Sequence, residues 1–426
     1  MLRNQLETYD LKNENLHSDE QRSEFRDGWP VVLAATFGVG VGLIGAPIFT
    51  LGTFIVPLSK TFGWTRTQVS LSSFCMVFGT IISAMFVGRI VDRFGARRIG
   101  IISLILLCAA LVGMTQITAD IRTFYFGLIL LSLAGCGTSP IIWTRGVALW
   151  FDKNRGLAFG LTLAGTGIAG MVMPPFIGWV IAHHDWRAGY LGLAAATAVA
   201  LIPVVLFFRE PSDRELADRR SPLAQAQHAA GMALGEALRT RRFWQLGLVN
   251  FFVTSATSLL IIHLVPLLIG AGIGRSTAAN LSAIMGATII FGRFSTGYLM
   301  DRFHPPFVGC GYLLIAGLGV ILIELALPNL VGVGIAIATF GLAAGAEVQL
   351  VAFMTSRYFG LKSYGQIYAV QFILFELGVG FGPAAAGRIF DAYGNYTNAL
   401  YLCLAAFVVG GVTLAALGKP PKWQPN

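Results

Sequence analysis

Gly88-Arg-Ile-Val-Asp92-Arg93-Phe94-Gly95-Ala-Arg97-Arg98 joins two long apolar segments, and the core of the string returns 209 residues later as Gly297-Tyr-Leu-Met-Asp301-Arg302-Phe303. The same offset carries Pro174-x-x-x-Gly178 onto Pro383-x-x-x-Gly387. Two separate landmarks recurring in register mark a duplicated unit whose halves share one fold.

Composition says what kind of unit it is. Hydrophobic residues make up 55% of the chain and charged residues only 12%, about half the fraction of an average soluble domain. Together with a mean hydropathy of +0.70, this identifies a polytopic membrane protein. Apolar stretches of about 20 residues, the length that crosses a bilayer core, run near 31–57, 67–88, 99–118, 123–150, 156–182 and 188–208 (spans 1 to 6). Spans 7 to 12 follow near 243–270, 277–300, 306–327, 330–356, 365–390 and 397–417. The expected fold is all-α, with twelve transmembrane helices in two pseudo-symmetric six-helix halves. Its parts are an N-terminal tail (1–29), the first half (30–208), a polar linker (209–242), the second half (243–417) and a C-terminal tail (418–426). The tail at 1–29 has no apolar core of the kind a cleaved signal peptide carries.

With both termini cytoplasmic, the tails and cytoplasmic loops hold roughly 22 of the 30 Lys and Arg, as the positive-inside rule requires. This accounts for the net charge of +9 and argues against a nucleic-acid partner. Cys75, Cys108, Cys136, Cys310 and Cys403 all fall within spans at no metal-ligand spacing, so neither a metal nor a disulfide is expected.

A charge near the centre of an inserted helix costs about 2.5–3.5 kcal/mol, so each one is a functional hypothesis. Arg293, Glu347 and Glu376 lie about 12, 15 and 17 Å from the cytoplasmic ends of spans 8, 10 and 11 at 1.5 Å per residue, in one layer near the midplane. A guanidinium offers a planar fork that matches a carboxylate. Arg293 is therefore the candidate anion site, the alternative being a fixed ion pair with Glu347 or Glu376. Those two carboxyls are the candidates for proton coupling, the alternative being structural hydrogen bonding. Arg145, about 10 Å deep in span 4, either touches substrate or controls the cytoplasmic gate, the alternative being that it pairs with backbone carbonyls or snorkels to the interface. His263 and Glu324 fall near the outer ends of their spans and read as wetted or capping groups. Trp143, Ser139, Tyr368 and Gln371 are further candidates for shaping a pocket. Clustered Gly and Pro in span 1 (Gly38, Gly40, Gly42, Gly45, Pro47), span 4 (Gly135, Gly137, Pro140) and span 5 (Gly165, Gly167, Gly170, Pro174, Pro175) suggest hinging helices, with close packing as the alternative.

The loop Gly88-x-x-x-Asp92-Arg93-x-Gly95-x-Arg97-Arg98 resembles the signature loop of the major facilitator superfamily, and the resemblance covers all twelve spans. Within it the chain resembles the monocarboxylate porters and oxalate/formate exchangers through three stretches. These are Asp27-Gly28-Trp29, Trp150-Phe151-Asp-Lys153-Asn-Arg155-Gly-Leu-Ala158-x-Gly160, and Gly382-Pro383-x-x-Ala386-Gly387-x-x-x-Asp391-x-x-Gly-Asn395-Tyr396. The resemblance implies that Arg293 anchors a substrate carboxylate. It also implies that Asp92, with Arg93 and Arg97, braces the cytoplasmic gate, with Asp301 and Arg302 as a weaker counterpart. Animal porters carry an acid four residues before that arginine and a lysine after the span-1 proline. This chain has Ile289 and Ile48 there, which moves any proton site to Glu347 or Glu376.

The expected function is secondary active transport of a small organic anion, a monocarboxylate, by proton symport and alternating access in the cytoplasmic (inner) membrane. The expected partners are the anion, protons and membrane lipid, with no cofactor and with the monomer as the working unit. An anion exchanger of the oxalate/formate type and a non-transporting receptor on the same fold are the alternatives. A nucleophile with a paired base, a metal-ligand cluster and a phosphate loop are all missing from the sequence, which argues against an enzyme.

Overall fold

The computed structural model describes residues 25–151, 155–211, 231–360 and 362–421. Among them the only β pairing is an isolated bridge between Gly231 and Gly360. Span 1 is built from helix 25–41 and Ala46–Phe62, and span 2 from Arg66–Ser70 and Ser72–Phe94. Span 3 is Ala96–Gly113, span 4 is Ile121–Ala134 plus Pro140–Ala148, span 5 is Arg155–His183 and span 6 is Trp186–Phe207. In the second half, span 7 is Arg241–Gly270, span 8 Arg275–Arg302, span 9 Pro305–Ala326, span 10 Leu330–Ala344 plus Glu347–Phe359, span 11 Tyr364–Tyr393 and span 12 Thr397–Ala415. Nine helices among the described residues are long and apolar enough to cross a membrane unaided. Spans 2, 4 and 8 carry more polar or broken sequence and depend on their neighbours.

The exterior is apolar, with Leu206 67% and Leu325 76% exposed. Only lipid makes such a surface stable, because the helices already satisfy their own backbone groups. Inside, the first half holds two clusters, one around Phe54, Phe124, Trp186 and Tyr190, the other around Trp143, Trp150, Phe151 and Phe208. The second half is one continuous core that includes Phe243, Phe340 and Phe407.

One face gathers the described residues nearest the chain ends and the linker. There the Trp150 indole donates to the Arg209 carbonyl at 2.9 Å, the Met232 amide to Phe359 at 2.8 Å, and the Tyr358 hydroxyl to Gly418. We call this the terminal face and the opposite one the far face. The linker residues 212–230 lie outside the described residues.

Four spans are interrupted, span 2 only by a single-residue step at Leu71. Span 1 breaks at Gly42–Gly45 and span 4 at Gly135–Ser139, where Ser139 turns extended ahead of Pro140. Span 10 breaks at Gly345–Ala346. The last two breaks coincide under the 209-residue repeat, which carries Cys136 onto Gly345 and Thr138 onto Glu347. Freed backbone groups need partners in a membrane. Thr138 supplies one, accepting from the Leu43 amide at 2.9 Å and so joining the span-4 break to the span-1 break.

The glycines of span 5 play a different part. Its helix is continuous, and a methyl group at Gly165 would overlap the Thr36 carbonyl of span 1. A methyl at Gly286 of span 8 would likewise run into Gly170 and Met171. In span 5, and at Gly40 of span 1, glycine permits close backbone approach, whereas Gly42 and Gly45 of span 1 and Gly135 and Gly137 of span 4 sit at the breaks.

The halves meet along spans 5 and 8, 2 and 11, and 1 and 7. Spans 5 and 8 run antiparallel, with Gly178 beside Ala279, Gly167 beside Ile290 and Gly160 beside Phe294. The hydrogen bonds that cross the seam crowd towards the far face.

Candidate functional site

Arg293 lies on the seam. Its helix, span 8, presses against span 5, and its guanidinium crosses to donate from Nη1 to the Leu163 carbonyl of the other half. Thr166 Oγ1 donates to the same oxygen at 3.1 Å. Behind Arg293, a methyl at Gly345 would stand 3.0 Å from its amide nitrogen, so the break in span 10 is seated against its backbone. One carbonyl engages one of the five N–H donors of an arginine. Among the described residues the rest of the fork has no hydrogen bond, and neither Glu347 nor Glu376 pairs with it. The fixed ion pair considered from the sequence is not formed.

The three charges of spans 8, 10 and 11 face different ways. Glu347 opens the second helix of span 10 and turns into its own half, towards Thr254 and Thr257 of span 7. It is 8% exposed, and its Oε1 has no hydrogen-bond partner, nor has Thr254 Oγ1. The carboxyl borders a cavity of about 20 Å³, room for a water, beside Asn250, Val253, Leu350 and Met354. Glu376 of span 11 looks the other way, across the seam. It borders a second cavity of about 20 Å³ with Ile44 and Ile48 of span 1, Ser73 and Val77 of span 2, and Ile262 of span 7.

Of the four pocket candidates, Tyr368 is half-buried on span 11 and stacks between Tyr364 and Phe372. Ser139 is half-buried at the span-4 break. Trp143 is fully buried in the first half, its ring against Gly38, Gly100 and Phe208 and its N–H on the Thr138 carbonyl at 3.0 Å. Gln371 is fully buried in the second half, accepting from Asn250 and donating to the Phe243 carbonyl, each at 2.9 Å. Trp143 and Gln371 thus tie helices within a half.

At the terminal face, Arg145 is exposed in the last turn of span 4, one turn beyond exposed Ile141 and on the side away from Trp143. Arg97 is exposed and donates to the Val205 carbonyl at the end of span 6 at 2.9 Å. The signature loop is held by a residue that sequence reasoning passed over. Glu210 accepts from the Ala96 and Arg97 amides, capping span 3 just after Gly95, whose φ of 85° suits glycine. Arg93 and Arg302 are exposed over the Phe94 and Tyr298 rings, at 5.5 and 4.1 Å. The side chains of Asp92 and Asp301 lie outside the described residues.

The far face holds a second network. Asp391, at the end of span 11, accepts from the Arg66 and Thr67 amides at 3.1 and 2.8 Å and from the Thr67 hydroxyl at 2.5 Å, at the start of span 2. Arg66 Nη1 donates to the Tyr396 hydroxyl at 2.7 Å, with its guanidinium 3.5 Å from the centre of the Phe390 ring. His263 is 1% exposed rather than wetted. One ring nitrogen meets Tyr396 at 2.9 Å, and the other meets Ser70 and the Pro383 carbonyl, each at 3.0 Å. Glu324 accepts from Thr397 at 3.0 Å, joining the far ends of spans 9 and 12.

Two of the three stretches that carry the resemblance meet at the terminal face, where Gly28 leaves room for the Phe151 ring, 2.5 Å from where a methyl would stand. The third supplies Asp391 and Tyr396 to the far-face network. The signal for these residues was present in the sequence as a motif, but its partners Arg66 and His263 lie more than 130 residues away.

A sequence model described as Major Facilitator Superfamily matches residues 37–383. Monocarboxylate transporter 11 of Mus musculus is 27% identical over 403 residues, covering 90% of this chain and 86% of its own. Monocarboxylate transporter 12 of Homo sapiens is 25% identical, covering 77% and 68%. The MFS-type transporter YcxA of Bacillus subtilis (strain 168) is 24% identical, covering 82% and 86%. Among solved structures, a bacterial homologue of the human lysosomal transporter Spinster, in an inward-facing and occupied conformation, superposes with a TM-score of 0.63 at 19% identity. The match covers 91% of this chain and 93% of that one.

Proposed function

The chain belongs to the major facilitator superfamily, and from that premise we propose that it carries a small organic anion, a monocarboxylate, together with protons across the cytoplasmic membrane. The observation that carries this reading is Arg293. It is a permanent cation on the seam between two half-transporters, with most of its donor fork unused and no carboxylate among the described residues neutralising it. A monocarboxylate would complete the fork with paired charge-assisted bonds. Because Arg293 also grips the Leu163 carbonyl of the other half, an arriving anion would compete with or reinforce that grip. Substrate occupancy is thereby coupled to the seam, as differential affinity for two conformations requires.

Proton coupling falls to Glu376 and Glu347. Each is buried, and no cation among the described residues pairs with it. Glu376 is the better placed, because it faces spans 1 and 2 across the surface that must separate when the far face opens. The excess of Lys and Arg on the terminal-face loops supports a cytoplasmic terminal face. The structure then stands closed outside, and rocking of the halves about Arg293 would open it.

The test is flux into proteoliposomes that enclose a pH dye. A monocarboxylate added outside should acidify the lumen without any internal counter-anion. Uptake that requires an internal anion and moves no protons would replace symport with exchange.

A further inference from the structure

The geometry points to an aromatic monocarboxylate, one flat ring bearing one carboxylate, as the substrate class of this site. The inference rests on the reading of Arg293 as the carboxylate anchor. Span 11 carries Tyr364, Tyr368, Phe372 and Phe375 as a continuous ladder. Successive ring centres are 5.7, 5.8 and 5.5 Å apart, and successive planes lie within 21°, 22° and 10° of parallel.

The direction of the ladder follows from its neighbours on the helix. Gln371, Gly378 and Gly382 mark the side packed on span 7. Gly380 and Gly387 mark the side packed on span 2. Ile373, Leu377 and Phe381, at 41, 38 and 44% exposure, mark the outer surface. At 100° per residue the remaining face carries Tyr368, Phe372 and, beside them, Glu376, which borders the cavity in the seam, while Tyr364 and Phe375 stand at its edge on the span-7 side. Tyr368 and Phe372 therefore line the interior.

Tyr364, Tyr368 and Phe372 are only half-buried there, and Phe375 is buried. Depth agrees as well. Phe372 is eight residues, about 12 Å, inside the start of span 11, and Arg293 is nine residues, about 14 Å, inside the end of span 8, both counted from the terminal face. The ladder thus descends from the terminal face to the level of the arginine. The Tyr364 hydroxyl is taken by the Ala352 carbonyl of span 10 at 3.4 Å, which fixes the first rung. An arene whose carboxylate sits on Arg293 and whose ring reaches across to span 11 would gain offset or edge contacts with Tyr368 and Phe372, and a short aliphatic acid would not. Aromatic pairs of this kind contribute beyond the area they bury. With that area added, the preference is about tenfold or more.

The experiment compares radiolabelled benzoate with lactate in proteoliposomes of the full chain, for the wild type, Phe372→Leu and Phe372→Tyr. The wild type should take up benzoate with a kcat/KM at least about tenfold above that for lactate. Phe372→Leu should lower the benzoate-to-lactate ratio about tenfold, and Phe372→Tyr, which keeps the ring, should restore it. Equal handling of the two acids by the wild type, or a loss in Phe372→Leu that is the same for both, overturns the aromatic assignment and leaves the carboxylate reading standing. Uptake of neither acid overturns both.

Discussion

Replacing Tyr396 by Phe removes one hydroxyl from the far-face network and nothing else of comparable size. That hydroxyl receives the Arg66 Nη1 donor at 2.7 Å across the seam and meets His263 at 2.9 Å within its own half. Only the Arg66 bond must break when the far face opens. A hydrogen bond to a charged group is worth about 1.5–3 kcal/mol. The low end applies, since the half-buried Arg66 keeps its place over the Phe390 ring and can find water. A loss of about 2 kcal/mol corresponds to about a thirtyfold shift towards the far-face-open state. The readout is labelling of Val77→Cys, a buried position lining the seam cavity with Glu376, in a background lacking the five native cysteines. A membrane-impermeant maleimide added on the far side should react about thirtyfold faster in the Tyr396→Phe variant. Equal rates would refute the claim that this network holds the far face shut.

Other perturbations separate the carboxyls from the scaffold. Glu376→Gln should abolish proton-driven accumulation while leaving substrate exchange across the membrane measurable, and accumulation that still follows the proton gradient would move the coupling to Glu347. Gly165→Ala forces a methyl onto the Thr36 carbonyl in a continuous helix pair and should cost about 1–3 kcal/mol, seen as a lowered thermal midpoint in detergent. Glu210→Ala strips the cap from span 3 and should cost about 1 kcal/mol by the same measurement, with an unshifted midpoint counting against the cap.

The twelve spans, their division into halves and the family were legible because each rests on features local in sequence: run length, charge placement and a repeated string. The depth of Arg293, Glu347 and Glu376 was legible for the same reason, since depth needs only residue counting. Their directions were not. Glu347 turns towards Thr254 because its helix restarts at the Gly345–Ala346 break, and no proline in span 10 announced that break. Glycine in spans 1, 4 and 5 gave one sequence signal for two structures, broken helix in the first two and close backbone approach in the third and at Gly40 of the first. Trp143 and Gln371 looked like pocket residues by type, but the Thr138 carbonyl and Asn250 hold them inside their halves. His263 was placed near the outer end of span 7 by position, and only the fold brings Ser70, Pro383 and Tyr396 around it.

The most direct test of the account is calorimetric binding of benzoate and its uncharged analogue benzamide to the purified protein, set against the Arg293→Gln variant. The account predicts that benzoate binds the wild type, that benzamide binds at least about a hundredfold more weakly, and that Arg293→Gln erases the difference between the two, as loss of a charge-assisted pair of about 3 kcal/mol requires. Binding of benzoate to Arg293→Gln with wild-type affinity would contradict it.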